Sequence, residues 1–232
     1  MFISTVIAVY NEEDNVKELT ERIFQSFKKL KIPFELIYVI DGTDKTNNIL
    51  MDLKKDKSNL ILDYSPKMRG FRNAFIRGFS LISKKSTHVL TMDGDLNHQP
   101  EEIGKFISEM EENGSSIVIG SRYTKMGKIE KLAIWKRAVS LFANIIIKLL
   151  WGIRIKDKTS GYRLYKREVI DDIVPKCKSS NFEFLFEILI RARKKRYKMS
   201  EVGIVFKARE RGVSKFQFWK VVKGYMRLML SR

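Results

Sequence analysis

Several features are scarce or missing in this sequence of 232 residues. It contains one cysteine, Cys177, so an internal disulfide is excluded, which is typical of proteins from a reducing compartment. Four prolines and thirteen glycines are too few for long disordered segments. No predicted strand is followed by the dinucleotide fingerprint G-x-G-x-x-G or by the phosphate loop G-x-x-x-x-G-K-[ST]. If the chain binds a nucleotide, it must therefore do so through residues other than these two motifs.

No apolar run in the sequence is long enough to cross a bilayer, which takes about 20 predominantly apolar residues. The apolar start, Met1 to Val9, lacks a basic leader and turns polar at Asn11, so it predicts a first strand rather than a signal peptide. The longest apolar stretch lies in an amphipathic helix predicted over residues 134–152, and Asn144 and Lys148 interrupt it. We expect this helix to lie at a membrane surface or to pack in the protein core.

Acidic residues are outnumbered, with 45 Lys and Arg against 27 Asp and Glu, which gives a net charge of +18. A basic balance suits nucleic acid, anionic lipid or phosphorylated substrates, and a solvated basic face is an equally good explanation. A nucleic-acid binder would not explain why acids gather at strand ends, and no recognisable nucleic-acid module is present. We therefore expect no nucleic-acid partner.

Short β-branched segments alternate with segments of helical periodicity, which predicts an α/β fold with a mostly parallel central sheet flanked by helices. The predicted strands cover residues 2–9, 34–40, 60–64, 87–92, 116–120 and 198–206. The predicted helices cover residues 14–30, 46–55, 71–83, 100–112, 135–151 and 181–195. We expect one domain over residues 1–215, followed by a basic amphipathic helix over residues 216–232 that lies at the membrane interface.

Two acids stand one residue apart, Asp93 and Asp95, directly after the apolar run that ends at Met92. Side-chain direction repeats every two residues in an extended chain, so both carboxylates point the same way. Neighbouring carboxylates repel unless a positive charge lies between them, and a hard divalent cation that carries phosphate oxygens meets that need. We therefore predict a metal site at Asp93 and Asp95, to which Asn97 could add a carbonyl oxygen.

Other polar residues follow strands or stand in loops. Asp41 ends the second predicted strand at the same edge as Asp93, so the two are predicted to share a ligand, although Asp41 and Asp44 also suit a plain turn. His98 could be a ligand or a side chain packed near Pro100. The later half adds basic side chains that could supply a positive field for phosphates, namely Arg122, Arg137, Arg209 and Lys215.

The order of these motifs resembles that of inverting nucleotide-sugar transferases of the second glycosyltransferase family, and most closely its polyprenyl (dolichol) phosphate mannose synthase branch. The segments that carry the resemblance are Val9-Tyr10-Asn11-Glu12-Glu13, Asp41-Gly42-Thr43-Asp44, Arg69-Gly70, Asp93-Gly94-Asp95, Gly120-Ser121-Arg122-Tyr123, Thr159-Ser160-Gly161-Tyr162-Arg163, and Glu201-Val202 with Arg209, Gly212, Ser214 and Lys215. The resemblance implies the single-domain A-type glycosyltransferase fold. The chain departs from the family pattern at Ala8, Ile40 and Asn97, where the family usually has Pro, Asp and Gln.

The resemblance also implies a division of roles. Asp93 and Asp95, with Asn97, would face Mg²⁺ or Mn²⁺ and the diphosphate, and Asp95 would be the least replaceable residue. Arg122 and Arg137 would hold the acceptor phosphate, and Arg209 would act in catalysis beside the donor. The implied nucleotide-sugar site comprises Ala8, Tyr10, Glu12, Ile40, Asp41, Arg69, Asp93, Gly94, Asp95, Arg209 and Lys215.

The activity implied by the resemblance is transfer of one hexose from a nucleotide sugar to polyprenyl or dolichyl phosphate, with mannose from GDP-mannose as the first choice and a UDP-sugar donor as the alternative. The processive motif Q-x-x-R-W is missing, which favours a single transfer. A peripheral site on the cytoplasmic membrane face is expected, held there by interfacial helices or by a small membrane-protein partner. The rival from another class is an Asp-x-Asp phosphatase, which would carry that motif at its first strand.

Overall fold

The computed structural model describes residues 1–131 and 134–208. Nine strands are found in this part of the chain: β1 (Ile3–Tyr10), β2 (Phe34–Asp41), β3 (Leu60–Ser65), β4 (His88–Thr91), β5 (Ile117–Ser121), β6 (Lys128–Glu130), β7 (Arg163–Lys166), β8 (Met199–Gly203) and β9 (Val205–Lys207). It also contains seven α-helices: α1 (Val16–Leu30), α2 (Thr46–Lys54), α3 (Phe71–Ser80), α4 (Ile103–Asn113), α5 (Ile134–Trp151), α6 (Arg167–Ile173) and α7 (Glu183–Lys194). Short 3-10 turns at Pro100–Glu102 and Val174–Lys176 precede α4 and follow α6.

Seven strands form one sheet in the order β3-β2-β1-β4-β7-β5-β8. All neighbours are parallel except at β7, which runs antiparallel to both β4 and β5. A separate parallel pair, β6-β9, lies beside the main sheet. The mostly parallel sheet flanked by helices that the sequence predicts is therefore confirmed for the described residues.

The predicted strand over residues 198–206 is wrong as a single element. The chain pairs with β5 as far as Gly203, and Ile204 then donates its N–H to the Ser121 carbonyl (3.1 Å) while its own carbonyl accepts the Lys128 N–H (2.9 Å). After Ile204 the chain pairs with β6 instead. Strand β6 is not among the predicted strands, because it has only three residues, too few to produce a recognisable alternation.

Helices cover both faces of the sheet and create two buried cores. On one face the helical spacing of Val16, Leu19, Ile23 and Phe27 turns the apolar side of α1 toward the strands, and α4 packs beside it. On the other face α3, α6 and α7 pack against the sheet. The central strands are consequently buried on both sides, as their nearly continuous apolar sequences require.

Helix α5 has two unlike faces. Its large apolar side chains are exposed over one stripe, with Ile134 at 87%, Phe142 at 66% and Leu149 at 77% of their full accessibility. Its opposite side buries Asn144 and Ile147 against the domain. The predicted amphipathic character of residues 134–152 is confirmed, with the helix at Ile134–Trp151. Among the described residues, no helix combines the length and apolarity that a membrane crossing needs.

Candidate active site

The carboxyl ends of β1, β2 and β4 meet at one edge of the sheet. Tyr10 is in register with Asp41, and Thr91, which immediately precedes Met92 and Asp93, is in register with Val6. The antiparallel β7 begins at the same edge, where Arg163 pairs with Thr91. Ligands bind at this edge in open α/β sheets. The structure thus brings the predicted acids of two strands and the loop before β7 to one place.

The turn after β2 is shaped by the side chain of Asn11. Its Oδ1 accepts the N–H of Thr43 (3.0 Å), and a Cβ on Gly42, whose φ is +113°, would approach this Oδ1 to 1.9 Å. Glycine is therefore the residue that allows this turn. Thr46 completes the junction, because its hydroxyl accepts the Glu12 N–H at 2.8 Å. The segment after β1 and the segment after β2 consequently form one rigid unit.

Asp41 is held by Arg69 rather than standing free at the sheet edge. Its two carboxylate oxygens accept the Arg69 N–H (2.6 Å) and the Arg69 Nε–H (2.7 Å). The same guanidinium pairs with Asp63, which also binds Arg77 at 2.6 Å. Burial alone would lower the pKa of Arg69, but the two carboxylates outweigh burial and raise that pKa. Asp41 and Arg69, both predicted in the nucleotide-sugar site, therefore form one charge network.

Asp93 and Gly94 lie in a crowded part of the edge. A Cβ at Gly94 would approach Val9 Cγ1 to 2.4 Å, so only glycine fits there without a shift in β1. The Asp93 N–H donates to Nδ1 of His98 at 3.2 Å. Burial lowers the pKa of His98 to about 4, so the ring is neutral near pH 7 and its Nδ1 is an acceptor. The 3.7 Å approach of Nδ1 to the Asp93 carboxylate is therefore a contact between a neutral ring and an anion, not an ion pair.

Asp95 and Asn97 face each other across a tight turn. The Asn97 N–H and Nδ2–H donate to the two Asp95 carboxylate oxygens at 3.2 and 2.7 Å, and Leu96 between them has a φ of +61°. The buried Oδ1 of Asn97 has no hydrogen-bond partner among the described residues. Carboxylate and amide oxygens are the ligands that a hard divalent cation prefers, and this segment carries Asp93, Asp95 and the unpartnered Oδ1 of Asn97. No group of three His, Cys, Asp or Glu side chains suited to a metal occurs in the described residues, so a third ligand from this part of the chain would be of another kind.

The loop before β7 closes over Asp93 at Gly161. A Cβ on Gly161 would lie 2.9 Å from Asp93 Oδ1, closer than an ordinary contact allows. We expect Gly161→Ala to push the Asp93 carboxylate out of place and to lower any activity that depends on the predicted metal site by about tenfold or more, since misplacing a group by an ångström can cost two orders of magnitude. Gly114→Ala is the control, because a Cβ there meets nothing within 4 Å, although its φ of +59° makes some loss of stability expected. Equal activity of Gly161→Ala and the natural chain, at equal metal concentration, would contradict this role.

Arg122 follows β5 and is clamped by Asp157. The Arg122 N–H and Nε–H donate to Asp157 Oδ2 at 3.0 and 2.7 Å, and Nη2 donates to Asp157 Oδ1 at 2.8 Å. Burial would lower the pKa of Arg122, but Asp157 outweighs burial and raises it. Conversely, burial would raise the pKa of Asp157, and Arg122 holds it below its ordinary value. Among the described residues no hydrogen bond is found for Arg122 Nη1, and the guanidinium lies over the rings of Tyr123 at 5.4 Å and Phe206 at 5.0 Å.

Asp157 is the site residue that sequence reasoning missed, and residues 159–163 of the same loop carry the family resemblance without a predicted role. Asp157 is fully buried, and its N–H donates to Glu201 on β8 at 3.0 Å. Arg163 is also fully buried, and its guanidinium donates hydrogen bonds to the carbonyls of Lys158, Ser160 and Leu185. Arg163 therefore shapes the loop rather than binding a substrate. The available signal was Asp157 itself, an acid in a strongly basic half of the chain.

The remaining predicted residues differ in accessibility. Tyr10 is exposed at the sheet edge, whereas Glu12 is buried and accepts Asn15 Nδ2–H at 2.8 Å. Ala8 is half-buried in β1. The Ile40 side chain lies in the core, which leaves only its main chain for the predicted nucleotide contact. Arg137 is exposed on α5.

The predicted residues Arg209 and Lys215 and the predicted helix 216–232 lie outside the described residues. The described residues that precede Arg209 already contact the site. Lys207 on β9 donates its N–H to the Asn97 carbonyl at 3.1 Å, and Phe206 packs edge-on to His98 at 5.7 Å. Strand β9 is therefore in contact with the turn that carries Asp95.

Comparison with known proteins identifies a family that matches most of this chain. The family described as Glycosyl transferase family 2 matches residues 4–174. Dolichol-phosphate mannosyltransferase of Pyrococcus furiosus is 35% identical over 230 residues, which cover 98% of this chain and 62% of that protein. Polyprenol monophosphomannose synthase of Mycolicibacterium smegmatis is 31% identical over 215 residues, covering 90% of this chain and 79% of that protein. The chain thus spans less than two thirds of the archaeal relative.

Solved structures share the fold at low identity. Glucosyl-3-phosphoglycerate synthase of Mycobacterium tuberculosis in complex with Mn²⁺, UDP and phosphoglyceric acid superposes with a TM-score of 0.70 at 17% identity, over 98% of this chain and 76% of that one. The same enzyme in complex with Mg²⁺ and UDP gives a TM-score of 0.69 at 17% identity, over 98% and 76% of the two chains. At this identity the similarity establishes the fold.

Proposed function

This chain belongs to glycosyl transferase family 2, and we propose that it transfers one mannosyl residue from GDP-mannose to a polyprenyl or dolichyl phosphate, with inversion at the anomeric carbon. Two relatives above 30% identity are named dolichol-phosphate mannosyltransferase and polyprenol monophosphomannose synthase. The observation that carries the proposal is the pairing of an acidic and a basic half-site: Asp93 and Asp95 lie at the end of β4, and Arg122 at the end of β5, with β7 between them. A donor diphosphate with its cation and an acceptor phosphate need these two opposite environments.

A phosphate acceptor simplifies the chemistry that the protein must perform. The second pKa of a phosphate monoester is about 6, so near neutral pH the acceptor is already an anionic nucleophile and needs no general base. His98 is consistent with a reaction that uses no general base, because the ring is buried and neutral and its Nδ1 already accepts the Asp93 N–H. The role left to the chain is to hold two anions together. Arg122 and the exposed Arg137 would offset the charge of the acceptor phosphate.

The donor side fits Mg²⁺ or Mn²⁺. Asp93 and Asp95 would hold the ion, and the orphaned Oδ1 of Asn97 would be a third protein oxygen. When bound, the ion would neutralise the negative charge that develops on the leaving diphosphate. Tyr10, Glu12, Asp41 and Arg69 would line the nucleoside end of the site. Arg209 and Lys215 would reach the diphosphate from the chain that continues beyond β9.

A lipid-linked acceptor requires the protein to reach a membrane. The exposed apolar stripe of α5, together with the exposed Lys148 and Arg137, has the composition of a helix that lies in the headgroup layer. We propose peripheral attachment at the cytoplasmic face, where the single unpaired cysteine also suits the reducing environment. A small membrane-protein partner could add a further anchor.

Thermal-shift measurements test the choice of donor. A ligand that binds the folded chain raises its stability, by about 2.7 kcal/mol at a concentration of a hundred times Kd. GDP-mannose with Mn²⁺ is expected to raise the melting temperature more than UDP-glucose with Mn²⁺, and EDTA is expected to remove most of the shift. A larger shift with UDP-glucose would assign a glucosyl donor instead. No shift with any nucleotide sugar would contradict the proposed function.

A further inference from the structure

The inner face of α5 contains polar side chains that the proposed transfer does not use directly. Ser140 and Asn144 lie four residues apart, so both are on the side of α5 that faces the domain. The apolar stripe that contains Phe142, Ile145 and Leu149 is on the outer side. Helix α5 therefore joins the outer surface of the protein to the loop that holds Arg122.

Ser140 belongs to the group of side chains that bind the Arg122 guanidinium, which also includes Asp157 and Thr159 and which we call the Arg122 clamp. Arg122 Nη2 donates to Ser140 Oγ at 3.2 Å, and Ser140 Oγ lies 2.8 Å from Thr159 Oγ1. The Thr159 hydroxyl donates to Asp157 Oδ1 at 2.7 Å, so the Ser140 hydroxyl must supply the proton of the Ser140–Thr159 bond. Ser140 thus accepts a hydrogen bond from Arg122 and donates one to Thr159, which in turn donates to Asp157.

Asn144 fixes the same loop one turn further along the helix. Its Oδ1 accepts the Lys158 N–H at 2.7 Å, and its carbonyl accepts Lys158 Nζ–H at 3.0 Å. Lys158 is fully buried and stands between Asp157 and Thr159, the two loop residues that bind the Arg122 guanidinium together with Ser140. A displacement of α5 would therefore move both partners of Arg122.

We propose that Ser140 and Asn144 are positioning residues that link the seating of α5 at a lipid surface to the placement of Arg122 for the acceptor phosphate. This inference rests on the proposed function, since it assigns a purpose to the Arg122 clamp. A surface that binds α5 in the position seen here would stabilise the clamped loop, because a ligand favours the state that it binds better. The enzyme would consequently bind its acceptor best where the lipid acceptor is found.

The first test is kinetic and uses a short-chain prenyl phosphate that stays in solution, with and without anionic vesicles that contain no acceptor. One neutral hydrogen bond is worth about a fivefold change in an equilibrium constant. Vesicles are expected to lower the acceptor KM of the natural chain by about fivefold and to leave the donor KM unchanged. Sedimentation of the vesicles checks that the acceptor has not partitioned into them.

Three variants separate positioning from simple support of the fold. Ser140→Ala and Asn144→Ala are expected to bind vesicles normally and to lose the vesicle effect on the acceptor KM. Asn144→Asp keeps the acceptor oxygen for the Lys158 N–H and is expected to retain the effect. Ser80→Ala is the matched control, because that exposed helix hydroxyl binds only a carbonyl of its own helix. An unchanged vesicle effect in Ser140→Ala and Asn144→Ala would overturn the proposal.

The second test does not depend on any transfer activity. Hydrogen exchange of the peptide over residues 153–160 reports the Lys158 N–H that Asn144 accepts. Vesicles are expected to slow this exchange in the natural chain and not in Asn144→Ala, while flotation shows both bound. Equal slowing in the two proteins, or none in either, would overturn the linkage. If the natural chain transfers no sugar to any polyprenyl phosphate, the proposed function fails, and this exchange measurement alone decides the inference.

Discussion

Replacing Asp95 by alanine is expected to lower metal-dependent sugar transfer by about a hundredfold to a thousandfold, the range typical for the loss of one group that stabilises charge in a transition state. Asp95 accepts two hydrogen bonds from Asn97, and the variant would remove both the acceptor of these bonds and one carboxylate of the proposed metal site. The measurement is transfer of radiolabelled sugar from the nucleotide sugar to polyprenyl phosphate over a range of Mn²⁺ concentrations.

The control for Asp95 is another acid of the same type. Asp52 lies on α2 with 73% of its side chain exposed and pairs with the equally exposed Lys55, so Asp52→Ala is expected to be fully active. Circular dichroism should show both variants folded. Activity of Asp95→Ala near that of the natural chain, with unchanged dependence on the metal, would remove Asp95 from the proposed site.

Asp157→Ala is expected to reduce the free energy of unfolding by about 3–5 kcal/mol, the usual cost of removing one partner of a buried ion pair. Asp157 is fully buried, and the Arg122 side chain is only 9% exposed, so water cannot replace the lost carboxylate. The measurement is urea unfolding at pH 7. Asp171→Ala is the matched control, because Asp171 is 57% exposed in its ion pair with Arg167, and that pair should contribute less than about 1 kcal/mol.

The same pair predicts a pH dependence with a definite sign. Arg122 holds the pKa of Asp157 below its ordinary value of 3.8, although burial opposes this. A carboxyl whose pKa is lower in the folded than in the unfolded chain stabilises the fold above the unfolded value, and that stability is lost as the pH falls toward the folded value. The stability difference between the natural chain and Asp157→Ala should therefore be constant above about pH 5 and shrink below about pH 4. A difference that grows at acid pH would contradict the ion pair.

Much of the fold and one half of the site follow from local sequence. The period-two and period-3.6 patterns predict the β1–β4 half because its strands are apolar and its helices have clear buried faces. The two acids after Met92 predict the acidic half-site, since strand ends at one sheet edge are close in any parallel arrangement. The placement of Asp41 with Arg69, by contrast, depends on a loop whose path the sequence does not encode locally.

The basic half-site shows why the remainder could not be predicted. Arg122 was recognised as a candidate, but its partner Asp157 is 35 residues away and reaches it only because β7 runs antiparallel between β4 and β5. Strand β7 has four residues, Arg163–Lys166, with a buried arginine at its start, and such a segment has no strand signature. In the sequence alone, Asn144 looks like an interruption of an apolar helix. In the structure, Asn144 and Ser140 face the loop that holds Arg122.

The measurement that tests the central claim most directly is transfer by the purified chain from GDP-mannose to a long-chain polyprenyl phosphate, with the lipid product analysed by mass and by anomeric configuration. The account predicts a product with a single mannose in the inverted configuration, formed with Mg²⁺ or Mn²⁺ and abolished by EDTA. A product with retained configuration, or no lipid product from a chain that GDP-mannose stabilises, would contradict it.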